Sequence, residues 1–261
     1  MTSGSMESPL LSHTACAFAQ EGYRCRLEWG KRGASAAAAR GDILVVVDTL
    51  RFSTTAVTAV HHGVLLYPCT WDEDIHAFSQ RVGAIAGGHR SGEDTRYTLS
   101  PLCYIHAVPG LRIALASPNG ATCARHASAV PILFVGALVN ARAVGMGVAQ
   151  WLETTNLSVT VLACGERWPT PSDDGELRFA IEDYLGAGAI LSCLPQTKSP
   201  EALLCAGAFV LAAPILEEML LECGSGRELQ GKGQVHDVRH AARLNLYDTV
   251  PVMRGECLLP I

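Results

Sequence analysis

Residues 43–55, ILVVVDTLRFSTT, place an acid, a base and hydroxyl groups directly after a run of branched apolar residues. Asp48 ends the apolar run, and Arg51 follows three positions later. A carboxylate can hold a metal ion or attack phosphorus, and an arginine can bind phosphate oxygens through two parallel hydrogen bonds. A buried strand also has to end where charge can meet water. Asp48 is therefore either an ordinary strand terminator or part of a reaction centre.

Ser53 and Thr54 follow at the predicted start of a helix, and two roles are open to them. Their hydroxyls can cap the helix by accepting hydrogen bonds from its free amides. The same helix start, with exposed amides and the positive end of the dipole, is also a natural site for a phosphate group.

Three other apolar runs end in polar residues of the same kind. The second run ends at SPNG, residues 117–120, the third at Asn140 and the fourth at Glu166. Asn119 and Gly120 suit a tight turn that brings backbone amides close to an anion. Asn140, at the next helix start, can likewise either cap the helix or contact an anion. Ligands of open α/β sheets bind outside the carboxyl ends of the strands, so the four polar ends together predict one pocket.

Two adjacent acids, Glu182 and Asp183, lie inside a predicted helix of small and apolar residues. Adjacent side chains of a helix point about 100° apart, so only one of the two is expected to face a cleft. A buried carboxylate is costly without a cation. Magnesium held by carboxylates, water and phosphate oxygens would offset that cost, and a surface salt bridge would do so equally well.

The elements that must position these residues alternate between strand-like and helix-like runs. Strands that are apolar on both faces, alternating with helices, indicate a largely parallel sheet between two helix layers. A further helix is expected from about Pro200 to Cys223, and the polar segment from Gly87 to Pro109 is expected to cross the rim of the sheet. We predict a single domain over residues 1–261, with residues 1–20 poorly ordered. The tail, residues 227–261, is expected to supply edge strands, or to pack on the domain or on a neighbour.

Composition excludes several classes of protein. The net charge of −5 leaves no basic stripe for nucleic acid. The best membrane candidate is Ala202 to Leu216, which is shorter than a spanning helix and contains Pro214, so we expect a buried helix and no membrane association. The first residues lack the basic and apolar parts of a secretory signal, and ten scattered cysteines fit buried thiols in a reducing compartment. We therefore expect a cytoplasmic protein.

Common catalytic motifs do not occur in the sequence. The G-x-S-x-G pattern of a serine hydrolase and the G-x-x-x-x-G-K-[ST] pattern of a P-loop nucleotidase do not occur, and GMG at residues 145–147 has no third glycine at the spacing of a dinucleotide fingerprint. His236 and Asp237 are neighbours that could orient a catalytic imidazole, although a surface pair is the simpler interpretation.

Five motifs in order, VVVDTLRFSTT, SPNG, GALVNA, LACGE and IEDYLGAGAI, resemble the 2-phosphosulfolactate phosphatase family, the ComB-like proteins. The tail motif GRELQGKGQVHDV is similar to the C-terminal pattern of that family. The resemblance covers about residues 43–252. It implies a three-layer α/β/α fold with a largely parallel or mixed sheet. It also implies magnesium-dependent hydrolysis of a phosphate ester on a small 2-hydroxy acid, 2-phosphosulfolactate or a close analogue.

The polar strand ends, the paired acids and the resemblance together give the candidate site residues. Asp48 and Arg51 are expected to be catalytic, with Mg²⁺ held by Asp48 and helped by Glu166, Glu182 or Asp183. The phosphate is expected to contact residues of the strand ends, namely Ser53, Thr54, Asn119, Gly120 and Asn140. Either Asp48 attacks phosphorus or a metal-activated water does so.

The sequence departs from the family pattern at three positions. Phe52 stands where the family has alanine, Pro118 where it has threonine, and Leu99 where it has asparagine. A bulkier side chain and a missing amide beside the pocket would change the substrate. The same departures motivate an alternative function, a non-catalytic protein that binds an anionic phosphometabolite on the same fold. A homodimer is a further expectation.

Overall fold

The computed structural model of the chain describes residues 18–88, 96–172 and 175–261. The predicted poor order of residues 1–20 therefore falls largely outside the described residues. The strands are β1 (Cys25–Trp29), β2 (Ile43–Val47), β3 (Leu65–Cys69), β4 (Ile85–Gly87), β5 (Arg112–Ala116), β6 (Leu133–Gly136), β7 (Val159–Ala163), β8 (Glu166–Ser172), β9 (Gly175–Arg178), β10 (Pro251–Arg254) and β11 (Cys257–Pro260). The helices are α1 (Gly30–Arg40), α2 (Phe52–His61), α3 (Ile75–Val82), α4 (Gly120–His126), α5 (Ala141–Thr154), α6 (Ile181–Ser192), α7 (Pro200–Ala212), α8 (Leu216–Glu222), α9 (Gly224–Gly231) and α10 (Val235–Ala241).

Nine strands form one mixed sheet in the order β1-β7-β2-β6-β10-β11-β3-β5-β4. The pairs β1/β7, β7/β2, β2/β6, β3/β5 and β5/β4 are parallel, as expected for strands connected by helices. The remaining neighbours, which involve β10 and β11, are antiparallel.

Strand β2 shows why the chain forms three layers. All five of its side chains are fully buried. Ile43, Val45 and Val47 pack with α5, α6 and α7 on one face of the sheet, whereas Leu44 and Val46 pack with α1, α2 and α4 on the other. Because alternate side chains of a strand point to opposite faces, an unbroken apolar run is the pattern of a strand covered on both sides. The predicted three-layer α/β/α fold is confirmed.

The C-terminal tail lies in the middle of the sheet. β10 pairs with β6 through Val252 and Phe134, and β11 pairs with β3 through Leu258 and Leu66. The prediction of edge strands is wrong, because this hairpin joins two parallel groups of strands into one sheet. The near-complete burial of Val252 and Leu258 shows that the tail completes the core.

Two segments outside the nine-stranded sheet each contain more than one element. The helix expected from Pro200 to Cys223 forms as α7 and α8, separated by a 3-10 turn at Ala213–Ile215 that contains Pro214. The polar segment that precedes α6 folds as the β8–β9 hairpin, which forms a second, two-stranded sheet.

Candidate active site

Asp48 directly follows β2 and is buried, with 4% of its surface exposed. Its Oδ2 accepts a hydrogen bond of 2.7 Å from the backbone amide of Gly120, and its Oδ1 accepts one of 3.2 Å from the amide of Phe52. The Ser117 hydroxyl lies 3.4 Å from Oδ2. Both carboxylate oxygens are thus held by donors from two different strand ends, which fixes the orientation of the group.

Glycine is required at position 120 by close packing. A Cβ atom there would lie 2.5 Å from the Phe52 ring and 2.7 Å from Oδ2 of Asp48. The Phe52 side chain is fully buried in the core on that side of the sheet. The Phe52 ring therefore packs against Asp48 and Gly120 from the core side of their contact. The expectation that Phe52 borders the pocket is wrong.

Asp48 lies in a cleft that has a volume of about 560 Å³. The carboxyl ends of β2, β5 and β7 contribute Asp48, Asn119 and Glu166 to its lining, so three of the four predicted strand ends converge. The opposite wall comes from α9 and the residues that follow it. The polar and charged residues that line the cleft are Asp48, Arg51, His76, Ser117, Asn119, Glu166, Ser225, Glu228, Lys232 and Gln234.

Glu166 is the second carboxylate of the cleft. Its Oε2 accepts hydrogen bonds from Nδ2 of Asn119 at 3.1 Å and from the backbone amide of Arg167 at 3.2 Å. Asn119 therefore holds Glu166, while its neighbour Gly120 holds Asp48. The predicted Asn119–Gly120 turn exists. The side-chain amide of Asn119 and the backbone amide of Gly120 donate to carboxylates of the protein itself, whereas the prediction was that this turn contacts a bound anion.

Glu182 and Asp183 are both buried, but they lie behind the cleft and do not line it. The two oxygens of Asp183 accept the backbone amides of Thr49 at 2.7 Å and Gly165 at 2.9 Å. Thr49 follows Asp48, and Gly165 precedes Glu166. Asp183 thus fixes the backbone of the two segments that carry the cleft carboxylates.

Burial and the charges of neighbouring carboxylates raise the pKa values of the acids at this site. Burial raises the pKa of Asp48 from 3.8 to about 6, an effect only partly offset by the amides of Gly120 and Phe52. Burial, followed by the charge of Asp48, raises the pKa of Glu166 from 4.5 to about 7. The same two causes raise the pKa of Asp183 well above its usual range. Among the described residues, none of the ion pairs involves Asp48, Glu166, Glu182 or Asp183.

Arg51 is held at the cleft by residues of the C-terminal region. Its Nη1 donates to Oδ2 of Asp237 at 2.5 Å and to Oε1 of Gln234 at 2.9 Å. Asp237 is 2% exposed and its Oδ1 accepts the Ser100 hydroxyl at 2.6 Å. The interpretation of His236 and Asp237 as a surface pair is wrong, because only His236 is exposed and the partners of Asp237 are Arg51 and Ser100.

The hydroxyls of Ser53 and Thr54 do not reach the cleft. The Ser53 hydroxyl accepts the amide of Asp48 and donates to the carbonyl of Val46, while that of Thr54 donates to the carbonyl of Thr49. Both side chains are fully buried. They hold the loop that carries Asp48, so their predicted contact with phosphate finds no support in their positions.

Asn140 also lies away from the cleft. Its Oδ1 accepts the amide of Ala137 at 2.9 Å, and its Nδ2 donates to the carbonyl of Thr249 at 2.9 Å. The side chain is fully buried and fastens the segment that leads into the C-terminal hairpin. Its predicted role in substrate binding is therefore not supported by the geometry.

The donor set fits a divalent cation that is bound mainly by water and substrate. Within the described part of the chain, no three His, Cys, Asp or Glu side chains come together as a complete metal site. Asp48, which is buried, and Glu166, which is half-buried, line the cleft, and neither forms an ion pair with another described residue. Magnesium is usually held by one or two carboxylates together with waters and phosphate oxygens, so the types of these two residues fit its usual ligands.

The comparison with known proteins agrees with this geometry. The family model described as 2-phosphosulpholactate phosphatase matches residues 32–256, which include every strand end of the cleft. The chain belongs to the 2-phosphosulpholactate phosphatase family.

Several curated relatives carry the same family name. A probable 2-phosphosulfolactate phosphatase of Carboxydothermus hydrogenoformans is 34% identical over 218 residues, covering 80% of this chain and 84% of the relative. Proteins of the same name from Gloeobacter violaceus and Symbiobacterium thermophilum are 28% and 27% identical. These matches cover 80% and 84% of this chain, and 87% and 94% of the respective relatives.

Two departures from the 2-phosphosulfolactate phosphatase pattern do lie at the cleft. Leu99 and Pro118 both line it. The Leu99 carbonyl also accepts the Thr55 hydroxyl at 2.5 Å, which ties this segment to α2. The lining of the cleft therefore has an aliphatic side chain and a proline ring at positions where the family pattern has polar residues.

The wall formed by α9 and the following loop was not anticipated from the sequence. Ser225, Glu228, Lys232 and Gln234 line the cleft, and Lys232 forms an ion pair with Glu228 one helical turn away. These residues lie about 180 positions from Asp48, and no local pattern connects them to it. The tail motif GRELQGKGQVHDV was the one available signal.

Proposed function

We propose that the protein hydrolyses the phosphate monoester of a small 2-hydroxy acid, 2-phosphosulfolactate or a close analogue, to the hydroxy acid and phosphate. The observation that carries the proposal is the buried Asp48 carboxylate, which two backbone amides orient in a cleft that Arg51 also lines. Family membership and the names of the relatives support the choice of reaction.

Mg²⁺ is the proposed cofactor, held by Asp48 and Glu166. When bound, it would neutralise charge on the phosphate oxygens and lower the pKa of a coordinated water. Glu182 and Asp183 lie behind the cleft, and the oxygens of Asp183 accept the backbone amides of Thr49 and Gly165. We propose that their negative charge attracts the cation and that Asp183 fixes the backbone next to Asp48 and Glu166. The expectation from the sequence was that one of them binds Mg²⁺ directly.

Arg51 is the proposed phosphate ligand of the chain. Its Nη1 is occupied by Asp237 and Gln234, so the fork is held in one orientation, and no described residue forms a hydrogen bond with Nε or Nη2, which are the proposed donors to phosphate oxygens. A guanidinium fixed in advance stabilises charge on the transferring phosphoryl group without reorganising during the reaction.

The two mechanisms for the attacking group differ in their stereochemistry. If Asp48 attacks phosphorus, the ester P–O bond breaks, an acyl phosphate forms, and water then cleaves it in a second displacement. If water attacks directly, one displacement completes the reaction. An ester with a chiral, isotopically labelled phosphate would show net retention for the first mechanism and inversion for the second.

The substrate class is tested by phosphate release from phosphosulfolactate, phospholactate and phosphoglycolate, with magnesium and with EDTA. We expect magnesium-dependent release, with a preference among the three esters that reflects the contacts of Leu99 and Pro118. The rival function, a non-catalytic protein that binds a phosphometabolite, is motivated by those two residues at the cleft. Magnesium-dependent binding without release of phosphate from any ester would favour the rival.

A further inference from the structure

The cleft has two unlike sides. Asp48, Arg51 and Glu166 line one side, next to the ends of β2 and β7. The other side comes from the segment after β3, the start of α3, β4 and the end of β5. β3, β5 and β4 are neighbours at one edge of the sheet, so these segments are adjacent. We call the six residues that line this side the apolar wall, namely Trp71, Ile75, His76, Ala86, Gly87 and Ala116.

The apolar wall is anchored in the core. Ile75 and Ala116 belong to one cluster of buried apolar side chains. Trp71 is 42% exposed, and its backbone amide donates to the Thr122 hydroxyl at 3.2 Å. Because Thr122 lies on α4, this hydrogen bond fixes Trp71 beside the helix whose first amide holds Asp48. An indole in this position offers a large apolar area to a ligand in the cleft.

Two leucines from other segments extend the apolar lining. Leu229 on α9 is buried, and Leu99 is half-buried against the core cluster that contains Phe52. Leu99 stands where the family pattern has asparagine, so this chain has an aliphatic side chain in place of an amide at the cleft. The departure therefore makes the lining more apolar.

The apolar wall is poorly suited to an anion. Of its six residues, only His76 can carry a positive charge. The cations of the cleft come from other segments, where Arg51 is paired with Asp237. Lys232 is paired with Glu228 on α9. A sulfonate against this wall would lose water without gaining a cationic partner, whereas an apolar group would gain free energy from leaving water.

The size of the cleft agrees with a substrate larger than a three-carbon acid. Its volume of about 560 Å³ is in the range of pockets that bind ligands of drug size. An ester of a three-carbon acid would leave much of the apolar wall in contact with water.

We propose that the substrate is the phosphate ester of a 2-hydroxy acid with a bulky apolar side chain, aromatic or branched aliphatic, which packs on Trp71, Ile75 and Leu99. This substrate class rests on the proposed phosphatase function, with the ester phosphate at Asp48 and Arg51. Hydrolysis breaks the ester P–O bond, and water supplies an oxygen atom to phosphate and a proton to the released hydroxyl group. The apolar side chain takes the place of the sulfonate.

The test compares kcat/KM in magnesium for the phosphate esters of lactate, 3-phenyllactate and sulfolactate. The lactate and phenyllactate esters differ only by a phenyl group, and we expect the wild type to prefer the phenyllactate ester over each of the others by about 10-fold or more. Trp71→Ala and Leu99→Asn should each reduce this preference several-fold. Their activity on the lactate ester should change little, which would show that they are folded.

The matched control is Trp151→Ala. Trp151 is 38% exposed on α5 and does not line the cleft, so its replacement should leave the preference for the phenyllactate ester unchanged. Equal kcat/KM for the lactate and phenyllactate esters would overturn the proposal, and so would a preference for the sulfolactate ester. A phenyllactate preference that survives in both Trp71→Ala and Leu99→Asn would overturn it as well, by placing the phenyl group elsewhere.

Failure of the phosphatase function would be seen separately, as no phosphate release from any ester. Calorimetric dissociation constants of the lactate and phenyllactate esters would then test the apolar wall by itself. Tighter binding of the phenyllactate ester, lost in Trp71→Ala, would support an apolar side chain on the ligand. Equal binding of the two esters would contradict it.

Discussion

The amide of Gly120 donates a hydrogen bond of 2.7 Å to Oδ2 of Asp48, across 72 positions of sequence. Asp48 follows β2 and Gly120 begins α4 after β5, and these two strands are separated in the sheet by β6, β10, β11 and β3. The candidate active site therefore depends on a contact between strand ends that are not neighbours. This contact explains why the carboxylate, the glycine and the Phe52 ring are tightly packed together.

Replacing Gly120 with alanine should disturb the site and the fold together. The added Cβ would lie within 2.8 Å of atoms of both Phe52 and Asp48, so one of them must move. We expect a loss of about 1–3 kcal/mol in the free energy of unfolding and a clear fall in kcat/KM. Chemical denaturation and phosphate-release assays measure the two effects. Gly231→Ala, where the Cβ would meet open space, is the control and should lower neither stability nor activity.

Replacing Asp237 with asparagine should impair the site through Arg51. Asparagine can still accept the Ser100 hydroxyl, but the guanidinium loses its charged partner and its fixed orientation. We expect kcat/KM to fall by about 100-fold. The loss should be much smaller when Arg51 is already lysine, because the two residues act as a unit.

The control for Asp237 is a second pair of the same residue types. Asp248 lies 3.7 Å from Arg142, and its side chain is 90% exposed. Asp248→Asn should leave both activity and stability unchanged. Equal effects of Asp237→Asn in the wild type and in the Arg51→Lys background would contradict the proposed positioning of Arg51.

Stability without a divalent cation should fall as the pH rises. The pKa values of Asp48 and Glu166 are raised to about 6 and about 7 in the folded protein, from 3.8 and 4.5. The folded state therefore binds more protons than the unfolded state between about pH 4 and pH 7. In EDTA, the melting temperature should be lower at about pH 8 than at about pH 5 by a few degrees.

Magnesium should reverse this dependence, because it binds the ionised carboxylates. Its stabilising effect on the melting temperature should be large above pH 7 and small below pH 5, where protons compete for Asp48 and Glu166. Asp48→Asn should flatten the pH dependence in EDTA. A melting temperature that rises with pH in EDTA would show that these carboxylates are not destabilising as buried charges.

The C-terminal hairpin should be essential for folding. Leu258 is fully buried and pairs with Leu66 of β3, so Leu258→Ala should cost about 2–5 kcal/mol of unfolding free energy. Leu244→Ala, at a side chain that is 41% exposed, should cost far less. Urea denaturation of both variants measures these two losses of unfolding free energy. Similar values for the two would mean that the hairpin is peripheral to the core.

The layered fold could be predicted from the sequence because its strands carry an explicit signal. Runs such as ILVVV are short, rich in branched residues and apolar at consecutive positions, which is the pattern of a strand buried on both faces. The central position of the C-terminal hairpin could not be predicted. β10 and β11 have four residues each, and their outer neighbours Phe134 and Leu66 are more than 100 positions away.

The site was predictable in part for a similar reason. Asp48, Asn119 and Glu166 lie at strand ends and meet at the cleft, as the sheet rule requires. Polar side chains at strand ends can also form hydrogen bonds with the backbone N–H and C=O groups of the loops that follow. The side chains of Ser53 and Asn140 serve that purpose, and residue type alone does not distinguish the two uses.

The central claim is that Asp48 is the catalytic carboxylate of a magnesium-dependent phosphatase. The most direct test is kcat/KM for the best phosphate ester with Asp48→Asn, compared with wild type and with Asp248→Asn, in magnesium and in EDTA. We predict that Asp48→Asn melts no lower than wild type at about pH 8, since a buried charge is removed, and loses about 10³-fold or more of its activity. A folded Asp48→Asn enzyme with magnesium-dependent activity close to that of Asp248→Asn would contradict the claim and make Asp48 a structural anchor of the strand end.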